Sequence, residues 1–463
     1  MESGSKQQLL KRIALLVSEN KELKNKQRIL TEENSRLMDE VNIYQDLIEK
    51  TVSEYDAINS SAYQQKRFNT VTIMFIAIKG RSDVSASAVD TSEYLEKFDN
   101  FQQCFRKIAE KYKLVKLQSI GDHFVCAGGI PEKNSINPVT VTLAAFEILN
   151  VLETEMQNSK GYEWSLKIGI HTGAVTALVD KNTRLNYCEL EGDTVNETSR
   201  IVSVCNRNTV TISASTYELV KELFECNYTN TLSVKNRKSI ELFTVSGCKA
   251  EYSDDRKRYI PNSAFRTQLM LVEFGDLQEV ILDKLEKELP EHLYYHNVKH
   301  TVDVVTQCEL IGWAEGLTDY QLLLLKTAAL FHDTGHTISY ANHEARSVDI
   351  ARDMLPKYNY TSEEIDLICR LIMATKLPPK PTDLLESIIC DSDLDYLGRT
   401  DFVPVSNTLF AELKEQNKTL TLNEWNKMQL KFISSHQYFT KTGRKLRNVK
   451  KQEQIERIKE LIE

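Results

Sequence analysis

The first 58 residues carry a seven-residue repeat of apolar side chains. Leucine returns at every seventh position, at Leu9, Leu16, Leu23, Leu30 and Leu37. Asn20 and Asn34 occupy the alternate core position of the repeat, where asparagine fixes the register and favours two parallel strands. The pattern predicts a parallel coiled-coil dimerisation helix over residues 1–58, followed by a hinge over residues 59–66. A long helix packed on its own protein is the alternative.

Residues 67–247 change to alternating strand and helix patterns. Val71–Ile78 is a continuous apolar run of the kind found in buried strands, and residues 114–129 indicate a strand, a turn and a second strand. Residues 164–175 repeat the strand pattern. The order predicts an α/β domain with a mostly antiparallel sheet, and a polar, charged linker follows it over residues 248–263.

Residues 264–463 show apolar positions at helical spacing and no convincing strand alternation. Helical runs cover Gln321–Leu330, Ser362–Ala374 and Gln452–Ile462. We therefore predict an all-α domain of about 200 residues. With the coiled coil and the α/β domain, the chain is predicted to be a multidomain protein.

Composition narrows the classes of protein to which the chain can belong. The 463 residues are 41% hydrophobic and 27% charged, with a formal net charge of -8, which argues against general affinity for nucleic acid or an anionic membrane. No apolar run approaches the ~20 residues of a bilayer span. The nine cysteines are scattered, and Met1 leads into a charged helix without a signal peptide. These features predict a cytoplasmic protein.

The histidines are concentrated in one part of the helical segment. Six of the nine lie between His292 and His343. Imidazole and carboxylate together are the ligands of hydrolytic divalent-metal sites. The candidates in and after this window are His296, His300, His332, Asp333, His336, His343, Glu344, Asp391 and Asp393. His332 and Asp333 are adjacent, and we expect both to turn toward one ion only at the end of a helix.

Three runs in the middle segment resemble the catalytic domain of the class III adenylyl and guanylyl cyclases. The runs are Ser119–Asp122, Lys167–Gly173 and Gly192–Arg200. The resemblance implies a ferredoxin-like α/β fold for residues 67–247. It also implies a domain that works as a dimer, in agreement with the predicted coiled coil.

The same resemblance implies which residues meet a nucleotide. Asp122 matches one of the two metal-binding aspartates, but Ala77 stands at the position of the other and has no ligand atom. Gln118 takes the position that reads the purine, and Asn196 and Arg200 match residues that orient the ribose and stabilise the transition state. With one carboxylate missing, we expect a domain that binds a regulatory nucleotide without cyclising it. An inert scaffold and residual cyclase activity are the alternatives.

The C-terminal runs resemble the HD superfamily of metal-dependent phosphohydrolases and, within it, the cyclic nucleotide phosphodiesterases. Tyr295–Val304 matches the opening motif, and Leu330–Asp333 matches the central His-Asp pair. The resemblance implies two divalent ions of zinc, manganese, magnesium or iron. The ligands that it implies for the first ion are His300, His332, Asp333 and Asp391. Asp393 is the alternative to Asp391, which we prefer because it directly follows an apolar run.

The resemblance also assigns roles around these ligands. Asp333 would bridge to the second ion, and His296 would be the general acid that protonates the leaving 3′-oxygen. His336, His343 and Glu344 would form the surrounding shell.

The expected activity is hydrolysis of cAMP or cGMP to the 5′-monophosphate, regulated by a nucleotide on the cyclase-like domain of a homodimer. Hydrolysis of another nucleotide or phosphate ester, a cyclase and a non-catalytic nucleotide receptor are the alternatives.

Overall fold

The computed structural model describes residues 63–82, 91–117, 123–158, 162–180, 189–233, 239–416 and 420–462. Of these, residues 68–175 and 191–462 belong to one compact unit, and residues 63–67, 176–180 and 189–190 belong to a second. The coiled coil predicted over residues 1–58 lies outside the described residues, as do Gln118 and Asp122. The first unit holds an α/β domain and a helical domain.

The α/β domain is built on an eight-stranded mixed sheet. Its strands are β1 (Tyr63–Ser82), β2 (Val115–Lys116), β3 (His123–Gly128), β4 (Tyr162–Asp180), β5 (Glu189–Glu191), β6 (Thr209–Ser213), β7 (Phe224–Leu232) and β8 (Ile240–Cys248). They lie in the order β2-β3-β1-β4-β6-β8-β7, with β5 paired to β4. β4 and β6 are parallel, whereas the β1–β3, β2–β3, β6–β8 and β7–β8 pairs are antiparallel. The α/β prediction is confirmed.

In the described part of the α/β domain, four helices accompany the sheet: α1 (Thr91–Lys111), α2 (Asn137–Asn158), α3 (Asp193–Val204) and α4 (Ala214–Val220). One sheet face contributes Leu166, Ile168 and Ile170 to the main core beside α1 and α2. The intervening Gly169 faces α3, and a Cβ there would lie 2.8 Å from the backbone nitrogen of Val202. Because side chains alternate along a strand, α3 packs on the opposite face, at a distance that only glycine allows.

The helical domain contains α5 (Ser263–Glu288), α6 (Val298–Ala314), α7 (Asp319–Phe331), α8 (His343–Met354), α9 (Ser362–Ala374), α10 (Leu384–Asp393), α11 (Phe402–Gln416), α12 (Leu422–Ser435) and α13 (Lys441–Glu460). The all-α prediction is confirmed. Capping boxes begin three of these helices, at Thr318, Thr361 and Thr421, each with Gln or Glu three residues later. Each box satisfies backbone N–H groups that a helix start leaves unpaired.

Helix α5 belongs to the cores of both domains. Phe265 in its first turn packs against Phe224 of β7, with 5.5 Å between ring centroids, inside the α/β core. From Met270 to Leu285 the same helix is buried in the core of the helical domain. A rigid helix that is packed at both ends connects the two domains.

None of the helices in the described part of the chain is long and apolar enough to cross a membrane.

Candidate metal centre

The first histidine pair is placed by the start of α6. Asn297 caps this helix, and its side chain accepts a hydrogen bond from the backbone N–H of His300. His300 therefore lies in the first turn, whereas His296 lies just before the helix. Their rings nevertheless remain 5.9 Å apart. Because the chain turns at Asn297, the imidazoles of His296 and His300 remain close to each other.

The adjacent His332 and Asp333 are placed by the end of α7. The helix ends at Phe331, His332 is its C-cap residue, and a short 3₁₀ turn over Thr334–Thr337 follows Asp333. The change from α to 3₁₀ geometry lets both side chains face one point, as predicted from the sequence. His332 donates from Nδ1 to the carbonyl oxygen of Ala329 at 2.8 Å, which leaves Nε2 to face the cluster.

Four side chains converge within the helical domain to form the first cluster. Nε2 of His300 lies 3.2 Å from Oδ1 of Asp393 and 3.4 Å from Nε2 of His332. Oδ2 of Asp333 lies 3.2 Å from Nε2 of His332 and 3.5 Å from that of His300. The first cluster joins residues from α6, from the turn that follows α7 and from α10.

The ligand atoms of this cluster lie close together, and His300 Nε2 and Asp393 Oδ1 form a hydrogen bond at 3.2 Å. Oδ2 of Asp333 is buried and has no hydrogen bond of acceptable geometry among the described residues, although His332 Nε2 is near. Burial alone would lower the pKa of His332, but the charges of Asp333 and Asp393 hold it well above its usual value. Such a site has strong affinity for positive charge. Two imidazoles and two carboxylates suit a divalent transition metal or magnesium-like ion.

A second cluster shares Asp333. His296, Asp333 and His336 present ligand atoms within 4.8 Å of one another. His343 approaches the same carboxylate, with its Nε2 3.5 Å from Oδ1, and Glu344 lies 3.6 Å from that imidazole. Asp333 thus has one oxygen directed to each cluster, which is the arrangement of a carboxylate that bridges two ions.

His336 is a buried imidazole without a hydrogen bond at either ring nitrogen in the described structure. Burial lowers its pKa to about 3, so the ring stays neutral. It stacks on His343 with 4.0 Å between ring centroids. Gly335 makes this approach possible, since a Cβ there would lie 2.0 Å from the backbone oxygen of His343.

Asp391 lies away from both clusters, and the preference for it over Asp393 has to be corrected. Its carboxylate accepts hydrogen bonds from the backbone N–H groups of Phe439 and Thr440, both at 2.8 Å, and from the Thr440 hydroxyl at 2.7 Å. Residues two apart on an α-helix differ in direction by about 200°. Helix α10 therefore points Asp393 at the imidazoles and Asp391 at the start of α13.

Glu412 is a site residue that the sequence analysis missed. This buried carboxylate on α11 accepts from the backbone N–H groups of Tyr295 and His296, at 3.0 and 3.1 Å, and bonds Nδ1 of His296 at 2.5 Å. Burial would lower the pKa of His296, but Glu412 and Asp333 raise it overall. The only signal in the sequence was an acidic residue within the apolar stretch 409–413.

Only some residues of the predicted nucleotide site lie in the described part of the α/β domain. Ala77 pairs with His123 across β1 and β3. Asn196 and Arg200 lie one turn apart on exposed positions of α3. A Cβ at Gly173 would lie 2.7 Å from the Thr194 hydroxyl, so the glycine lets β4 and the start of α3 approach closely.

Comparison with known protein families supports the assignment of both domains. Residues 63–247 match the adenylate and guanylate cyclase catalytic domain, and residues 297–395 match the HD domain. The chain therefore combines a nucleotide cyclase homology domain with an HD domain. HD domains bind divalent metals, and the two His/Asp clusters lie largely within the matched residues.

Relatives of known function resemble the cyclase homology domain. Human guanylyl cyclase C is 26% identical over 249 residues, which cover 52% of this chain and 22% of that protein. Receptor-type guanylate cyclase gcy-23 of Caenorhabditis elegans is 26% identical over 231 residues, 48% of this chain and 21% of that protein. The chain spans about a fifth of the length of these relatives.

Solved structures of guanylate cyclase domains are also similar in sequence. The domain of RhGC from Catenaria anguillulae, in complex with GTP, is 27% identical. It covers 40% of this chain and all of that chain, with a TM-score of 0.34.

Proposed function

We propose that the HD domain hydrolyses a 3′,5′-cyclic nucleotide, cAMP or cGMP, to the 5′-monophosphate, and that nucleotide binding to the cyclase homology domain regulates this activity. The observation that carries the proposal is the convergence of His300, His332, Asp333 and Asp393 beside a histidine held in place by a buried glutamate. Hydrolysis of a different phosphate ester by the same cluster is the nearest alternative.

Each part of the cluster has a role in the proposed reaction. The residues of the two clusters, with Asp333 in both, would hold two divalent ions, and the chemistry that such ions supply is the activation of water and the offset of phosphoryl charge. His296 would donate a proton to the leaving 3′-oxygen. Glu412 fixes the ring of His296 and favours its protonated form, which a proton donor needs near neutral pH. His336, His343 and Glu344 would orient the ligands of the second ion.

Regulation is supported by contacts that join the two domains. The backbone N–H and hydroxyl of Ser135 donate to the carboxylate of Asp276 on α5, at 2.6 and 2.7 Å. Lys113 donates to the side-chain oxygen of Asn359 at 3.1 Å. Because Phe265 of α5 is buried in the core of the cyclase homology domain, a conformational change in that domain would act directly on α5.

A buried chain of polar side chains leads from the predicted nucleotide helix toward this interface. It begins at Glu197 on α3, which lies between Asn196 and Arg200 and pairs with His171 at 2.9 Å. From His171 it continues through Ser213, Thr216, Thr172, Thr72 and Asn137. Asn137 donates to the backbone oxygen of Asn134, next to the residue that contacts α5. This series of hydrogen-bonded side chains supports coupling between α3 and the HD domain.

The activity is tested by incubating the purified full chain with Mn²⁺ or Mg²⁺ and a panel of cyclic and linear nucleotides, and separating the products. The proposal expects cyclic purine nucleotides to give 5′-monophosphates. Asp393→Asn should abolish turnover, and Asp366→Asn, at an exposed position, should not. Turnover confined to linear substrates would contradict the proposal, as would cyclic nucleotide formed from ATP or GTP. The latter is not expected because Ala77 provides no metal ligand.

Regulation is tested by adding ATP or GTP to the wild type and to Arg200→Ala while the hydrolysis rate is measured. A nucleotide-dependent change in rate that disappears in the variant supports regulation through α3. Identical rates with and without nucleotide in the wild type would refute regulation by these ligands.

A further inference from the structure

One buried hydroxyl bonds the turn that carries His332 and Asp333. It belongs to Ser347, which lies in the second turn of α8 and is fully buried. Its Oγ donates to the backbone carbonyl oxygen of His332 at 2.7 Å and accepts from the backbone N–H of Gly335 at 2.8 Å. A single side chain on α8 therefore holds the chain both immediately before and shortly after Asp333.

These two hydrogen bonds fall where the backbone changes from α to 3₁₀ geometry. Carbonyl groups at the end of a helix lose their intrahelical partners, and His332 is the C-cap residue of α7. Its carbonyl belongs to the rigid peptide plane that leads into Asp333, so a bond to that oxygen restricts rotation of the plane. The N–H of Gly335 belongs to the plane two peptides further along. The side chain of Asp333 projects from the segment between these two fixed planes.

The direction of the Asp333 carboxylate depends on this turn more than that of the neighbouring imidazole does. The ring of His332 is held by its own bond from Nδ1 to the carbonyl oxygen of Ala329. Oδ2 of Asp333 has no hydrogen bond of acceptable geometry within the part of the chain that the structure describes. Because Asp333 contributes to both clusters, a change in the turn would move one ligand of each.

The position of Ser347 is unusual for a serine within a helix. Such a hydroxyl usually bonds a carbonyl one turn earlier in the same helix or faces solvent. The hydroxyl of Ser347 instead bonds backbone groups 12 and 15 residues earlier in the chain. Gly335 allows this close packing, since a Cβ there would lie 2.8 Å from the Cβ of Arg346. Helix propensity alone would favour alanine at position 347, so the serine is explained by its bonds to the turn.

We propose that Ser347 is a positioning residue of the metal centre, whose hydroxyl holds the turn after α7 in the geometry that directs Asp333 to both clusters. The inference rests on the proposed function, since it takes the two clusters as the site of the ions. It adds a residue that contacts neither an ion nor a substrate and acts through Asp333. Loss of the hydroxyl should therefore change metal affinity and coordination geometry.

The test measures calorimetric binding of Mn²⁺ alone to the metal-free full chain, with the absorption spectrum of the Co²⁺-loaded protein as a second readout. Ser347→Ala should bind Mn²⁺ about 10- to 100-fold more weakly than the wild type, as is typical when a residue that orients metal ligands is replaced. Its Co²⁺ spectrum should differ from that of the wild type. Ser347→Thr keeps a hydroxyl and should match the wild type in both readouts.

Thr327→Val is the matched control for a loss of buried hydrogen bonds. The Thr327 hydroxyl lies on α7, away from the clusters, and bonds the Leu323 carbonyl oxygen at 2.8 Å and the Tyr360 hydroxyl at 2.9 Å. This variant should have a lower unfolding temperature, like Ser347→Ala, but the Mn²⁺ affinity and Co²⁺ spectrum of the wild type. If Ser347→Ala does not fold, Ser347→Cys takes its place, because a thiol fills the site but is a weaker hydrogen-bond partner.

Several outcomes would overturn the inference alone. One is an unchanged Mn²⁺ affinity in Ser347→Ala, or in Ser347→Cys where that variant replaces it. Another is an equal loss of affinity in Thr327→Val, which would assign the effect to stability. A Ser347→Thr protein as stable as the wild type but with the weak affinity of Ser347→Ala is the third.

The same measurements separate this inference from the proposed function. A wild type that binds Mn²⁺ but cleaves no cyclic nucleotide would refute the proposed function, and the Mn²⁺ affinities of the variants would still decide the role of Ser347. A wild type that binds neither Mn²⁺ nor Co²⁺ would refute both.

Discussion

The contact between Glu412 and His296 gives the sharpest prediction for the reaction. Glu412→Gln removes the negative charge but keeps an oxygen that can accept from the backbone N–H groups of Tyr295 and His296. A hydrogen bond to a charged group contributes about 1.5–3 kcal/mol, and 1.36 kcal/mol corresponds to one pKa unit. We therefore expect the pKa of His296 to fall in this variant, because the neutral amide stabilises the protonated ring less than the carboxylate does.

The consequence appears in the pH dependence of kcat. A general acid must be protonated, so the rate falls as pH rises through its pKa. The alkaline limb of the kcat profile for a cyclic nucleotide should move down by about one to two pH units, and the rate above both pKa values should fall about 10- to 100-fold. At acid pH the variant and the wild type should have similar kcat values.

Two controls make the result specific. Bis(p-nitrophenyl) phosphate has an acidic leaving group that needs little protonation, so its hydrolysis should be much less affected by Glu412→Gln. Glu415→Gln, at an exposed position one turn away on α11, should leave both profiles unchanged. Equal loss for the two substrates, or an alkaline limb that does not move, would refute the role of Glu412 in holding a protonated His296.

Three further predictions concern the metal ligands and stability. Asp393→Asn should lower the bound-metal content measured by elemental analysis. Asp391→Asn should keep the metal but lower the free energy of unfolding by about 1–3 kcal/mol. Metal loss in Asp391→Asn alone would contradict the corrected ligand set. Gly335→Ala should lower both metal content and unfolding temperature, because its Cβ would lie 2.0 Å from a backbone oxygen at the start of α8; a variant with unchanged metal content would show that this approach is unimportant.

Burial raises the pKa of Glu273 from 4.5 to about 7, so the stability from its retained proton is present below pH 4.5 and is lost as pH rises through 7. Glu273→Gln should therefore stabilise the fold at pH 8 by up to about 3 kcal/mol and much less at pH 5. Chemical unfolding at both pH values, with the exposed Glu279→Gln as control, checks this, and equal changes at both would contradict it.

The sequence predicted those features that depend on neighbouring residues. Apolar spacing predicted the helical domain, and the adjacent His332 and Asp333 predicted a helix end, which α7 provides at Phe331. These features follow from backbone geometry within one element, where the order of the residues sets their directions.

The tertiary structure determined which of these side chains come together. The helical period places Asp391 and Asp393 on different faces of α10. The packing of α10 between α6 and the start of α13 determines that Asp393, and not Asp391, lies beside the imidazoles. Glu412 reaches Tyr295 from 117 residues away. Partners so distant along the chain are chosen by how helices pack against one another, and no local pattern in a single sequence encodes that choice.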